Sequence, residues 1–254
     1  MKDRILNWKP DPRHYFRAAV KLDEPASPIG QRVDLSGPAF PPIYDQGKRG
    51  SCTAQALAAV YHFQLYDQGI KTFLPSRYFI YWNERNMEGT TSTDSGAIIA
   101  DGAKVLNTLG VCDETVWPHD DPLWDDKPSD AAFAVALKSK ATEVVPLTES
   151  VEQVCRALWA GFPVVCGIPI FDNFSEASFD GIVPMPGDDS AYRGGHAIVI
   201  VGYFLDSKDY LWFKCRNSWG KGWGDKGHFA LPWEYLERGA SDFWTIRRVE
   251  SMIP

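Results

Sequence analysis

The sequence has little positive charge, no long apolar run and no closely spaced pair of cysteines. Its 26 lysine and arginine residues are outnumbered by 33 aspartate and glutamate residues, which leaves a formal net charge of −7. A nucleic-acid-binding domain normally presents a basic face, so this balance argues against a nucleic-acid partner. Because no apolar run is long enough to cross a bilayer, a membrane-spanning protein is not expected either.

The start of the sequence, MKDRILNWKPDPRHYF, lacks the apolar core of a signal peptide. This favours a cytoplasmic protein. A secreted or periplasmic protein whose signal peptide has been removed would begin in the same way, so that alternative stays open.

Five cysteines are spread along the chain, at positions 52, 112, 155, 166 and 215. None forms a C-x-x-C pair, which argues against a structural zinc site or a redox motif. Four could form two disulfides while the fifth does chemistry, or they could be buried free thiols in a reducing compartment. Cys155, Cys166 and Cys215 lie in apolar segments, which favours free thiols. The spacing of the acidic residues between Asp113 and Asp130 fits no calcium loop, so no metal site is expected there. The sequence implies no other metal and no organic cofactor.

What the chain has is enough apolar residues for one large domain, with 44% hydrophobic residues in 254. Residues 1–32 are rich in Pro, Arg, Asp and Lys without sustained periodicity, and are interpreted as an N-terminal arm. Residues 33–254 are predicted to form the folded domain.

Three helices are predicted from apolar residues at helical spacing. The first begins at Ser51 and ends near Gly69, and the second spans about Ile98 to Leu109. The third begins after Ser150, which with Gln153 fits a capping box.

After residue 163 the pattern changes to short segments rich in β-branched and aromatic residues, separated by Gly, Pro and Asp. These are PVVCGI, HAIVIVGYF, YLWFKCR, GHFAL and FWTIRRV. Helices followed by strands indicate an α+β fold, here as two lobes that face each other. The helical lobe is predicted mainly over 45–145 and the strand-rich lobe mainly over 146–254.

Three motifs contain residues with catalytic chemistry: DQGKRGSCTAQA, RGGHAIVIVGY and CRNSWGKGWGDKGHF. In chain order they contribute Gln46, Cys52, His196 and Asn217. The sequence here resembles the papain-like cysteine peptidases (the papain family, peptidase family C1), from about residue 33 to the C-terminal region. The resemblance implies a papain-like two-lobed fold, with a central helix in one lobe, an antiparallel β-barrel-like second lobe and the active-site cleft between them. Arg49 stands where many relatives carry a disulfide cysteine, which indicates a disulfide-poor, bacterial-type branch.

The resemblance agrees with what the chemistry requires. A free thiol has a pKa of about 8.5, and a helix start together with an imidazolium lowers it, so Cys52 and His196 are expected to form a thiolate–imidazolium pair. Asn217 would orient the imidazole, with Trp219 shielding that contact. The Gln46 side-chain amide and the Cys52 backbone N–H would stabilise the oxyanion.

Substrate-binding residues follow from alignment with the family. Gly96 matches the glycine wall, Ala97, Gly167 and Gly194 would line the main specificity pocket, and Gly195 precedes the histidine. Trp219 completes the predicted substrate-binding set. These small residues predict a roomy pocket that admits a bulky apolar side chain.

The predicted activity is peptide-bond hydrolysis through a thioester acyl-enzyme, with a peptide or protein as the substrate. Two alternatives remain: an acyl transferase or ligase that uses the same triad, and an inactive papain-like scaffold used for binding. The arm also has two interpretations. It could lie across the cleft like a pro-segment and inhibit its own enzyme, or it could pack on the back of the domain.

Overall fold

The structure is a computed structural model and describes residues 6–11 and 30–253. Within these residues there are seven α-helices and seven β-strands. The helices are α1 (Cys52–Asp67), α2 (Arg77–Glu88), α3 (Ile99–Thr108), α4 (Asp130–Ala136), α5 (Val151–Trp159), α6 (Ala177–Asp180) and α7 (Trp233–Glu237). The strands are β1 (Val33–Asp34), β2 (Ser139–Pro146), β3 (Val164–Phe171), β4 (Tyr192–Leu205), β5 (Leu211–Arg216), β6 (His228–Pro232) and β7 (Ser241–Ser251).

Helix α1 is the predicted central helix. It is apolar on every side and almost entirely buried, as expected of a helix enclosed by other elements. It ends just before Gly69, whose φ of 66° is unfavourable for residues with a side chain. The predicted helices α3 and α5 are also confirmed, and the Ser150 hydroxyl accepts the Gln153 N–H at 3.2 Å at the start of α5.

The strands form one antiparallel sheet in the order β2-β7-β3-β4-β5-β6, with β1 also paired to β4. All five strands predicted after residue 163 are present. Strand β4 is buried along most of its length because α1 packs on it as well as α5. A strand covered on both faces has a continuous apolar sequence, as HAIVIVGYF does.

The expectation that helices come first and strands second is wrong in detail. Strand β2 precedes residue 146 and joins the sheet through β7, whereas α5, α6 and α7 lie among the later strands. The alternating pattern of β2 is interrupted by irregular pairing between Ala141 and Val144, so its sequence, SKATEVVP, gives a weak strand signal. Helix α2 was also missed, since it buries the polar residues Asn83, Glu84 and Arg85.

Two apolar cores confirm the two-lobed α+β architecture. One surrounds α1, α2 and α3 and extends to β7, and the other lies between strands β3 to β6 and α5. All five cysteines are free and buried in these cores or beside them, which confirms the expectation of free thiols. No helix in the described residues is long and apolar enough to cross a membrane.

Candidate active site

Cys52 is the first residue of α1, and its side chain is fully buried. Its thiol lies against β4, where it makes a hydrogen bond with the backbone of Ala197. Because residue 197 directly follows His196 in the chain, this contact brings the start of the central helix to the strand that carries the predicted histidine.

His196 is buried on β4, and its Nε2 lies 2.9 Å from the Asn217 Oδ1. The same oxygen accepts the backbone N–H of Ser218 at 2.8 Å, which holds the amide in place. The rings of His196 and Trp219 stack with their centroids 4.7 Å apart, and Trp219 is itself buried. The histidine ring is therefore held in one orientation, and the tryptophan covers one of its faces.

Gln46 is buried and is oriented by both ends of its side chain. Its Oε1 accepts the Ser218 hydroxyl at 2.7 Å, and its Nε2 donates to the Arg49 carbonyl at 2.8 Å. A primary amide has two N–H donors, so the contact with Arg49 uses one of them.

The turn after β5 therefore organises the whole cluster through three consecutive residues. Asn217 contacts the histidine, Ser218 contacts the glutamine and Trp219 packs on the histidine ring. The sequence analysis assigned roles to the first and third and missed Ser218. Its position between two assigned residues was the only available signal.

The predicted substrate-binding glycines all face one segment of the chain, residues 6–11, which we call the arm segment. Trp8 N–H donates to the Gly195 carbonyl at 3.1 Å, and Lys9 N–H donates to the Ala97 carbonyl at 3.2 Å. These two carbonyls belong to opposite halves of the molecule, so the arm segment lies between the halves and bonds to both.

The close approach of the arm segment explains why these positions are glycines. A methyl group added at Gly96 would lie 1.7 Å from the Asn7 carbonyl oxygen, and one at Gly167 would lie 1.9 Å from the Trp8 ring. A methyl group added at Gly194 would collide with Leu6, and one added at Gly195 would collide with Trp8. Trp8 is only 6% exposed, and its indole fills the space beside Gly167 and Gly195.

Polar side chains also hold the arm segment on the helical half. Asn7 donates through its Nδ2 to the Asp94 carbonyl at 2.9 Å, and the Lys9 ammonium lies 3.1 Å from Glu88. Of the two alternatives for the arm, residues 6–11 therefore follow the first, because they lie across the cleft and not on the back of the domain. The remainder of the predicted arm, apart from residues 30–32, falls outside the described residues.

Comparison with known proteins agrees with this geometry. A family model described as papain family cysteine protease matches residues 29–239. The chain belongs to the papain family. A peptidase C1-like protein of Acanthamoeba polyphaga mimivirus is 39% identical over 222 residues, which cover 82% of this chain and 70% of that protein. Cathepsin B-like cysteine proteinase 4 of Caenorhabditis elegans is 27% identical over 137 residues, and the matched part covers 40% of its length.

Solved papain-family structures share the fold over nearly the whole chain. Xylellain, a cysteine protease from Xylella fastidiosa, superposes with a TM-score of 0.85 at 34% identity, covering 99% of this chain and 97% of that one. A procathepsin B from Trypanosoma congolense superposes with a TM-score of 0.69 at 15% identity, covering 99% and 85% of the two chains. The second likeness, at so low an identity, concerns the fold alone.

Burial of the nucleophile acts against the thiolate expected at this papain-family site. Burial raises the pKa of Cys52 to about 12, whereas its hydrogen bond with the Ala197 backbone acts in the opposite direction. The thiolate expected from the sequence stays a prediction, which burial of the sulfur beneath the arm segment opposes. The physical reason is that a sulfur removed from water is more stable as a neutral thiol.

A buried acid lies behind the nucleophile. The Thr53 hydroxyl donates to Glu84 Oε2 at 2.8 Å, and Glu84 is fully buried on α2. Burial raises the pKa of Glu84 well above its usual range, because a carboxylate removed from water is disfavoured.

Proposed function

We propose that this cysteine peptidase hydrolyses peptide bonds with Cys52 as the nucleophile and His196 as the acid–base partner. The observation that carries the proposal is the hydrogen bond by which Asn217 orients His196 on β4. The residue after His196, Ala197, contacts the Cys52 thiol through its backbone. A thiol, an imidazole and a third group that fixes the imidazole form the arrangement that nucleophilic catalysis requires.

The reaction proceeds in two halves. The Cys52 proton passes to His196, and the sulfur forms a bond with the carbonyl carbon of the peptide. The resulting oxyanion receives hydrogen bonds from the second Gln46 N–H and from the Cys52 backbone N–H. When the carbon–nitrogen bond breaks, His196 returns the proton to the amine and a thioester remains. Water, deprotonated by His196, then attacks the thioester and releases the acid and the free thiol.

Positioning of the oxyanion donors carries much of the rate in this scheme. Losing one such donor typically lowers turnover by about 10²–10³-fold. The contacts of Gln46 with Ser218 and Arg49 support this role, because they hold the amide before substrate arrives. Asn217 and Trp219 act through His196, which they keep oriented.

The decisive test is labelling by a peptidyl vinyl sulfone, a warhead that needs an activated thiol beside an imidazole. We expect labelling at Cys52 to reach completion, slowly in the full chain because the arm segment covers the cleft, with loss of hydrolysis of a fluorogenic peptide. Cys52→Ala should abolish labelling, while Cys155→Ala, which removes another buried thiol, should leave it intact. Labelling that persists in Cys52→Ala would refute the assignment.

The arm segment supports a second part of the proposal, that this peptidase is held inactive by its own N-terminal arm. Its backbone bonds to Gly195 and Ala97 occupy the groups that a substrate backbone would use. The raised pKa of the buried Cys52 thiol supports an inactive state. Solved structures that share this fold include proforms of papain-like proteases, which supports the same view.

Trp8 also supports a substrate preference. Since its indole fills the space at Gly167, we propose that the pocket accepts bulky aromatic or apolar side chains. A panel of fluorogenic dipeptides that differ in the second residue before the scissile bond tests the preference. Faster cleavage of peptides with Gly or Asp there would contradict it.

A further inference from the structure

A hydrogen-bonded chain connects the loop before the nucleophile to the wall of the cleft. Asp94 Oδ1 accepts the backbone N–H of Gly50 at 3.0 Å and the hydroxyl of Tyr81 at 2.5 Å. The Tyr81 oxygen in turn accepts the backbone N–H of Gly96 at 3.2 Å. One carboxylate oxygen thus joins Gly50, two residues before Cys52, to Gly96 in the substrate wall.

The surroundings of these hydrogen bonds make the Asp94–Tyr81 connection rigid. Tyr81 is fully buried on α2, and burial together with the Asp94 charge raises its pKa, so the phenol keeps the proton that it donates. A methyl group at Gly50 would lie 3.2 Å from Asp94 Oδ1, which shows how closely the loop and the carboxylate approach.

The loop held by these hydrogen bonds, residues 46–52, contains both proposed oxyanion donors. It begins at Gln46 and ends at the Cys52 backbone N–H, and Gly50 lies between them. Ser218 and Arg49 hold the Gln46 end, as described above. Asp94 is the contact that fixes the other end against the wall of the cleft.

We propose that Asp94 is a positioning residue of this peptidase, which sets the oxyanion donors against the substrate wall through Gly50 and Tyr81. The proposal rests on the proposed function. The hydrogen bond that the arm segment makes with Asp94 goes to its main-chain carbonyl, so the carboxylate oxygen stays available to Gly50 and Tyr81.

The first variant removes the carboxylate. In Asp94→Ala of the full chain we expect kcat for a fluorogenic peptide to fall about 10–100-fold, because the oxyanion donors are no longer held in place. Alkylation of Cys52 by iodoacetamide forms no oxyanion, so its rate should stay within about twofold of wild type. A merely structural role would lower both rates together.

Two further variants separate the contribution of the Asp94 carboxylate from that of the Tyr81 hydroxyl. Asp94→Asn keeps an oxygen that can accept both hydrogen bonds, and we expect it to recover kcat to within about fivefold of wild type. Tyr81→Phe removes the hydroxyl that joins Asp94 to Gly96 but leaves the bond between Asp94 and Gly50, so it should raise KM about three- to tenfold with little change in kcat. The matched control is Asp121→Ala, which removes the exposed ion pair of neighbouring Arg49 and should stay within twofold.

Hydrogen exchange provides a readout that needs no peptidase activity. In Asp94→Ala the Gly50 amide loses its acceptor, so amides of residues 47–51 should exchange at least tenfold faster while those of α5 are unchanged. Unchanged exchange of the Gly50 amide would overturn the proposal even if the protein hydrolysed nothing. Equal losses of hydrolysis and alkylation in Asp94→Ala would overturn it in an active enzyme.

Discussion

Replacing Trp8 with alanine should activate this peptidase. The indole is 6% exposed and lies against Gly167, whereas the two backbone hydrogen bonds of the arm segment do not depend on the side chain. Truncating a buried tryptophan costs about 3–5 kcal/mol in a protein core. Water can refill this cleft, so we take the lower limit of about 3 kcal/mol, which changes the docking equilibrium by about 10²-fold.

The assay is kcat/KM of the full-length protein for a fluorogenic peptide, together with the rate of Cys52 labelling. Because the observed rate is proportional to the fraction of open enzyme, both should rise by up to about 10²-fold in Trp8→Ala. The arm still has its backbone bonds in this variant, so inhibition should be weakened and not lost.

Two variants calibrate this result. Lys9→Ala removes an ion pair whose lysine is 39% exposed, which is worth about 0–1 kcal/mol, so activation should stay below about fivefold. Trp8→Phe keeps most of the apolar contact and removes an indole N–H that has no partner among the described residues. It should stay within tenfold of wild type. Equal rates in Trp8→Ala and wild type, or a larger effect of Lys9→Ala, would refute autoinhibition through this pocket.

Three further predictions concern the contacts around the site. Ser218→Ala removes the donor that orients Gln46, so kcat should fall about tenfold with KM unchanged, and an unchanged kcat would contradict that role. Glu84 has a raised pKa in the folded protein, so its protonation contributes stability that is lost as pH rises above the unfolded value of about 4.3. Glu84→Gln should therefore flatten the fall in unfolding free energy between pH 5 and 8 in urea titrations. Burial lowers the pKa of His119 to about 3, so its contribution is lost as pH falls from about 6.5 towards 3, and His119→Gln should reduce that loss in the same assay.

Several features of the protein follow from local sequence alone. The run of alanine, leucine and aromatic residues after Ser51 predicts a helix that is buried on all sides, and HAIVIVGYF predicts a strand covered on both faces, as α1 and β4 are. The residues Gln46, Cys52, His196 and Asn217 were identified because their chemistry is tied to short motifs. Such signals depend on neighbours within a few positions, which a sequence displays directly.

Other features were decided only when distant segments packed together. Nothing near Asp94 in the sequence indicates that its carboxylate joins Gly50 to Tyr81, and nothing near Trp8 indicates that it lies against Gly167. The raised pKa of the Cys52 thiol is of the same kind, because it depends on how completely the folded chain removes the sulfur from water. Local patterns determine which elements form, whereas burial and long-range hydrogen bonds determine where their side chains meet and in what protonation state.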